Sequence, residues 1–120
     1  MYFEYANESD TMITGRRWAV HDRYGNEIYL TQERWEHIIE PFNHPEMAEY
    51  EAQLKETIRA GARKQDSLNP RKYRYLKAFD NLAEDNTHIM AIVLFGFSED
   101  GTGKPVFNNY ITTAFQKEIG

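Results

Sequence analysis

The chain has no cysteine. That excludes disulfides, thiolate metal sites and thiol nucleophiles, and it is compatible with a reducing compartment. Long apolar runs are also missing. The longest, 89–97, is far too short to span a bilayer, and the N-terminus lacks the charged-then-apolar order of a signal peptide. A cytoplasmic protein without membrane contact is expected. Basic residues are scarce as well: Lys and Arg number 14 against 19 Asp and Glu, for a formal charge of −5 and a pI near 5.3. A protein that coats nucleic acid nonspecifically is usually basic throughout, so any polyanion here would have to be met on one surface. Finally, there is no internal repeat, no low-complexity segment and no metal-ligand motif. His37 and His44 are separated by a proline-broken link and are not at the i, i+4 spacing of a helical zinc pair, so neither a metal nor another cofactor is expected.

What basic charge there is has been concentrated. From Arg59 to Lys77 the chain carries seven cations against the single acid Asp66, a local charge of +6 in a chain whose remainder sums to −11. A field of sign opposite to its surroundings is what a phosphate-bearing partner requires. The chain is otherwise ordinary for a globular domain: 120 residues, 41% apolar and 28% charged, with eight Tyr and seven Phe for core and stacking.

Periodicity divides the chain into an N-terminal lead, 1–17, partly irregular, and a single domain, 18–120. Tyr2–Tyr5 has the composition of a short edge strand. Trp18 and Val20, then Ile28 and Leu30, alternate with polar residues about a turn at Tyr24–Asn26, which predicts a β-hairpin. Thr31 is a fitting N-cap for a helix over Gln32–Glu40 that Pro41 closes. Pro45 suits the first position of a second helix with the stripe Met47, Tyr50, Leu54 and Ile58, stopped at Gly61. Three strands follow, Lys72–Phe79, Thr87–Phe97 and Val106–Phe115, the middle one apolar enough to be covered on both faces. This order predicts an α+β fold, with two helices from the N-terminal half packed on an antiparallel sheet.

Several side chains have the chemistry of a site. His37, on the helix face opposite Trp35 and Ile38 with Glu33 and Glu40 nearby, is the first general acid/base candidate; His44, at a helix entry, is the second. Each also has a plain reading, as a solvated helix residue and a capping-loop residue. His21 and His88, at strand ends, read as structural. On the strand Lys72–Phe79, Arg74 offers a bidentate fork and Lys77 a point charge to a phosphate, while Tyr73 and Tyr75 offer stacking faces for single-stranded RNA. Core packing is the commoner fate of such tyrosines. Arg63, from the same window, is a further substrate contact, although like Lys64 and Lys72 it also fits a solvated face. Thr112 and Thr113 each place a hydroxyl on the last strand.

Taken in order, Glu33–Ile38 (ERWEHI), His44–Glu46 (HPE), Tyr73–Tyr75 (YRY) and Tyr110–Phe115 (YITTAF) resemble the barnase, EndoU, colicin and RelE nuclease superfamily, and more narrowly its small bacterial and phage members with an RWxHI, HPE, TAF layout. The resemblance covers the chain from Trp18 to Phe115. It implies two helices packed on a curved antiparallel sheet, and metal-independent cleavage of RNA by attack of the 2′-hydroxyl on the adjacent phosphate, in a toxin-like effector restrained by an antitoxin or immunity protein. It also implies roles: His37 moves a proton, Arg74 stabilises the phosphorane and Thr113 binds phosphate, with Thr112 in reserve. The acidic pI fits a free RNA better than a ribosome as substrate. The competing reading is a catalytically silent RNA- or protein-binding module of the same fold.

Overall fold

The structure, a computed structural model, describes residues 15–120. The strand expected at Tyr2–Tyr5, and the lead as far as residue 14, lie outside that span; within it Arg16 and Arg17, read as lead, already belong to the first strand. The domain's first strand, β1, covers Arg16–His21 and turns through Asp22–Asn26 into β2, Glu27–Thr31. The turn is built on Asp22, whose carboxylate accepts the backbone N–H groups of Tyr24 and Asn26, and on Gly25, whose positive φ of 87° suits glycine. Thr31 ends β2 and caps α1, Gln32–Ile38, its hydroxyl accepting the Arg34 N–H at 3.0 Å. Trp35 and Ile38 face the core as their spacing requires.

The expected second helix is two pieces. Pro45–Glu49 form a 3₁₀ turn and Glu51–Ala60 form α2, with a break at Tyr50, yet Met47, Leu54 and Ile58 remain fully buried. Gly61 stops the helix as expected. A methyl on Gly61 would lie 2.4 Å from the Thr57 carbonyl oxygen and 2.8 Å from that of Leu76, so glycine lets the chain turn straight onto the sheet.

The remaining strands are β3 (Ala62–Gln65), β4 (Lys72–Ala78), β5 (His88–Leu94), β6 (Phe97–Glu99), β7 (Pro105–Phe107) and β8 (Tyr110–Lys117). The three segments expected to be neighbours are neighbours: β5 pairs antiparallel with β4 on one side and β8 on the other. The main sheet runs β1-β2-β8-β5-β4-β3, while β6 and β7 form a separate ribbon. Neither Thr87–Phe97 nor Val106–Phe115 is therefore one strand: the chain leaves the sheet after Leu94 to enter the ribbon and rejoins it only at Tyr110. Nor is the sheet purely antiparallel. β2 and β8 are parallel and meet at Tyr29 and Tyr110, with the Tyr29 N–H on the Asn109 carbonyl at 3.1 Å. Beyond that bridge α1 takes the place beside β8 that β2 leaves.

The sheet is curled into a half-barrel around the core. Its inner face contributes Ile89, Ala91, Val93, Ile111, Ala114 and Tyr75, all at 0 to 1% exposure, and α2 packs on β1, β4 and β5 from within. The curl is deep enough for the β1–β2 turn to reach β4, where the Tyr75 hydroxyl donates to Asp22. On the outer face Met90, Ile92 and Leu94 of β5 remain partly exposed. The expectation of a central strand covered on both sides therefore holds for one side only. Among the described residues, no helix is long and apolar enough to cross a membrane.

Candidate functional site

The outer face is organised in rows by strand register. Lys64, Arg74, Ile92 and Thr113 are successive cross-strand partners from β3 to β8. On one side lies the row Ala62, Leu76, Met90 and Phe115, and on the other Lys72, Leu94, Tyr110 and Tyr29. Partners in adjacent strands project to the same face about 4.8 Å apart, so the Cα atoms of Arg74 and Thr113 are roughly 10 Å apart. The Arg74 guanidinium itself is turned to the β3 side, toward Asp66.

Strict alternation along β8 would put Thr113 with buried Ile111. A bulge prevents this. The register shifts between Ile92 and Val93, so Val93 opposes Ile111, Ile92 opposes Thr113, and Thr112 is the extra residue. The Thr112 hydroxyl donates to the Ile92 carbonyl at 3.2 Å. Thr113 is the one in the row of Arg74. Arg74 is held in turn by Asp66 at 2.9 Å, in the β3–β4 turn, where Asp66 also accepts the N–H groups of Leu68 and Asn69. The Leu68 bond first, then the Arg74 charge and the Asn69 bond, hold the Asp66 carboxyl below its ordinary value.

His44 closes one end of this face. Its N–H donates to the Ile38 carbonyl at 2.8 Å, and its ring stacks on Phe115 with centroids 5.4 Å apart, two residues along β8 from Thr113. Glu46 stands 3.8 Å from its Nδ1. His37 is elsewhere, half-exposed on the solvent side of α1 with Nδ1 3.4 Å from Glu40. The fold thus puts Arg74 and Thr113 in one cross-strand row and His44 against Phe115 of the neighbouring row, with His37 exposed on α1.

The remaining candidates turn inward. Lys77 alternates with Arg74, shares the inner side with Tyr75 and lies over the Phe79 ring at 4.6 Å. It and Arg74 address opposite faces and cannot hold one phosphate. Tyr75 is fully buried and offers no stacking face. Tyr73 packs against Phe95, ring centroids 4.9 Å apart, beneath the Arg63 guanidinium. Arg63 is held among Tyr24, Tyr73 and Phe95 and is paired with Asp22 at 3.7 Å, a structural position rather than a free cation. His88 contacts the Thr87 hydroxyl at 2.7 Å at its strand end.

The cluster of Asp22, Tyr75 and Arg63 was not anticipated. Burial pushes the Asp22 carboxyl up, but hydrogen bonds from Tyr75, Asn26 and Tyr24 outweigh it and leave the net value below the ordinary one. Burial, reinforced by the hydrogen bond to Asp22, raises the Tyr75 phenol strongly, so it stays a protonated donor. In sequence, the only trace was an aspartate opening a glycine turn. Among the described residues no group of three or more His, Asp or Glu could hold a metal ion.

The fold and this face define an α+β domain with a polar and aromatic row on the outside of a curled sheet. No family model matches the chain, and neither a curated protein nor a solved structure matches it.

Proposed function

We propose that the chain is a cytoplasmic, metal-independent endoribonuclease of the barnase, EndoU, colicin and RelE kind, a toxin-like effector held in check by an antitoxin or immunity protein. The observation that carries the reading is the register of Arg74 with Thr113, which sets a cation and a hydroxyl in one row on one face of the sheet, two strands apart. His44 beside Phe115 supplies the proton transfer. In this reading His44 takes the proton of the 2′-hydroxyl as that oxygen attacks phosphorus. Arg74 stabilises the charge gathered on the phosphorane, Thr113 donates to a phosphoryl oxygen, and the proton returns to the departing 5′-oxygen, leaving a 2′,3′-cyclic phosphate.

The test is incubation of purified protein with RNA in EDTA, with cleaved ends mapped. Cyclic phosphate ends are expected, and His44→Ala should slow cleavage roughly a hundredfold or more, because general acid/base catalysis is worth that much. Loss of activity in His37→Ala with full activity in His44→Ala would transfer the proton to His37. The silent-module reading is favoured by one feature, the Arg74–Asp66 pair at 2.9 Å, which already neutralises the key cation. Salt-sensitive RNA binding without cleavage would select it.

A further inference from the structure

The ribbon of β6 and β7 leaves the sheet beyond Leu94, and a cavity of about 530 Å³ opens at its root, lined by Arg71, Phe95, Gly96, Phe97, Phe107 and Asn109. Its cation is oriented. The Arg71 N–H is accepted by Asn69 Oδ1 at 3.0 Å, its carbonyl accepts the Phe95 N–H at 2.7 Å, and its Nε donates to the Phe95 carbonyl at 2.8 Å. These bonds fix the guanidinium and leave its Nη donors for another partner, and no carboxylate among the described residues pairs with it. Gly96 makes the room: a methyl there would lie 2.8 Å from Arg71 Nη2.

The walls are aromatic. Phe97 and Phe107 face each other across the ribbon with centroids 5.1 Å apart, yet they are 69% and 73% exposed. Two large rings left in water beside an uncommitted arginine are an arrangement that packing alone does not explain. The floor is rigid, because buried Asn109 donates to the Glu27 carbonyl at 3.1 Å and accepts from the Gly96 N–H at 3.4 Å.

We propose that this cavity is a nucleotide subsite, in which a base stacks on Phe97 and Phe107 and its phosphate takes the Nη donors of Arg71. Aromatic faces accept any base, and the arginine fork matches phosphate geometry. The volume falls in the range of roughly 300–1,000 Å³ usual for small-ligand sites. The inference rests on the RNA reading above and adds a nucleotide site at the end of the sheet, where Arg71, Phe95 and Asn109 alternate with the outer-row residues Lys72, Leu94 and Tyr110.

The experiment is a titration of the intact protein with uridine 5′-monophosphate, uridine and inorganic phosphate, followed by amide NMR shifts of Gly96, Phe97 and Phe107. Saturable shifts with the nucleotide are expected, with uridine and phosphate each at least about tenfold weaker, and a loss of about tenfold in Arg71→Gln and in Phe97→Ala. Gly96→Ala keeps every ring and charge but displaces the guanidinium, and it should weaken binding similarly with the remaining spectrum unchanged. A silent ribbon, undiminished binding in Arg71→Gln, or phosphate binding as well as the nucleotide would overturn the proposal. Because binding is read apart from cleavage, the two readings fail separately. Nucleotide capture without cleavage would refute the nuclease and leave the subsite, whereas cleavage with a silent ribbon would do the reverse.

Discussion

Asp22 shows how much a single turn residue carries. Its side chain is wholly shielded from solvent and accepts from Tyr75, Tyr24 and Asn26 while facing Arg63. Asp22→Ala strands the Tyr75 hydroxyl and the Arg63 charge, and a loss of about 3 kcal/mol in urea unfolding is expected. The pH dependence has a definite sign. The folded carboxyl ionises below its unfolded value of about 3.9, so its stabilisation is complete above that pH and is lost as pH falls through the folded value. Asp22→Ala should flatten the acid limb of the stability curve, and an unchanged limb would show that other carboxylates govern it. The network was not legible in sequence, where Tyr75 read as a stacking or a core ring and Arg63 as a substrate contact or a solvated cation. The same residue types serve a buried network or a binding face, and only the partner 53 positions away decides which.

At the scale of elements, legibility followed the strength of the periodic signal. The strands β4, β5 and β8 and the stripe of Met47, Leu54 and Ile58 were readable because burial on one side imposes a period. β3 was not, because Ala62–Gln65 lies at the sheet edge with little apolar surface to reveal it. The bulge at Thr112 was equally hidden: a single inserted residue reverses which threonine faces outward without changing composition. Two junctions should be sensitive to mutation. Thr31→Ala removes the cap joining β2 to α1 and should cost about 1 kcal/mol. Gly61→Ala drives a methyl into the Thr57 and Leu76 carbonyls, which are backbone and cannot step aside, so about 2 kcal/mol or more is expected. Thermal unfolding of both variants gives the order, and Gly61→Ala as stable as the parent would mean that α2 and β4 separate more easily than their packing indicates.

For the whole molecule, the curl of the sheet sorts the basic window into two populations. Lys64, Arg74 and Lys72 lie on outer rows, while Arg63 and Lys77 are turned to the inner face and taken up by aromatic rings. The net charge of a linear window therefore overstates what a polyanion would meet. Sequence alone could not supply that division, since alternation says that Arg74 and Lys77 differ in face but not which face is occupied by the core. It yields a contrast that composition does not. If RNA lies along the outer rows, Arg74→Ala should weaken binding across unrelated sequences and lower the slope of log affinity against log salt by about one, the signature of one lost phosphate contact. Lys77→Ala removes an equal charge from the same strand and should leave both affinity and slope unchanged. Filter binding at several salt concentrations decides the matter. Equal losses in the two variants would mean that RNA responds to the window's overall field rather than to the outer face, and the pairing of Arg74 with Thr113 would then lose its meaning as a phosphate site.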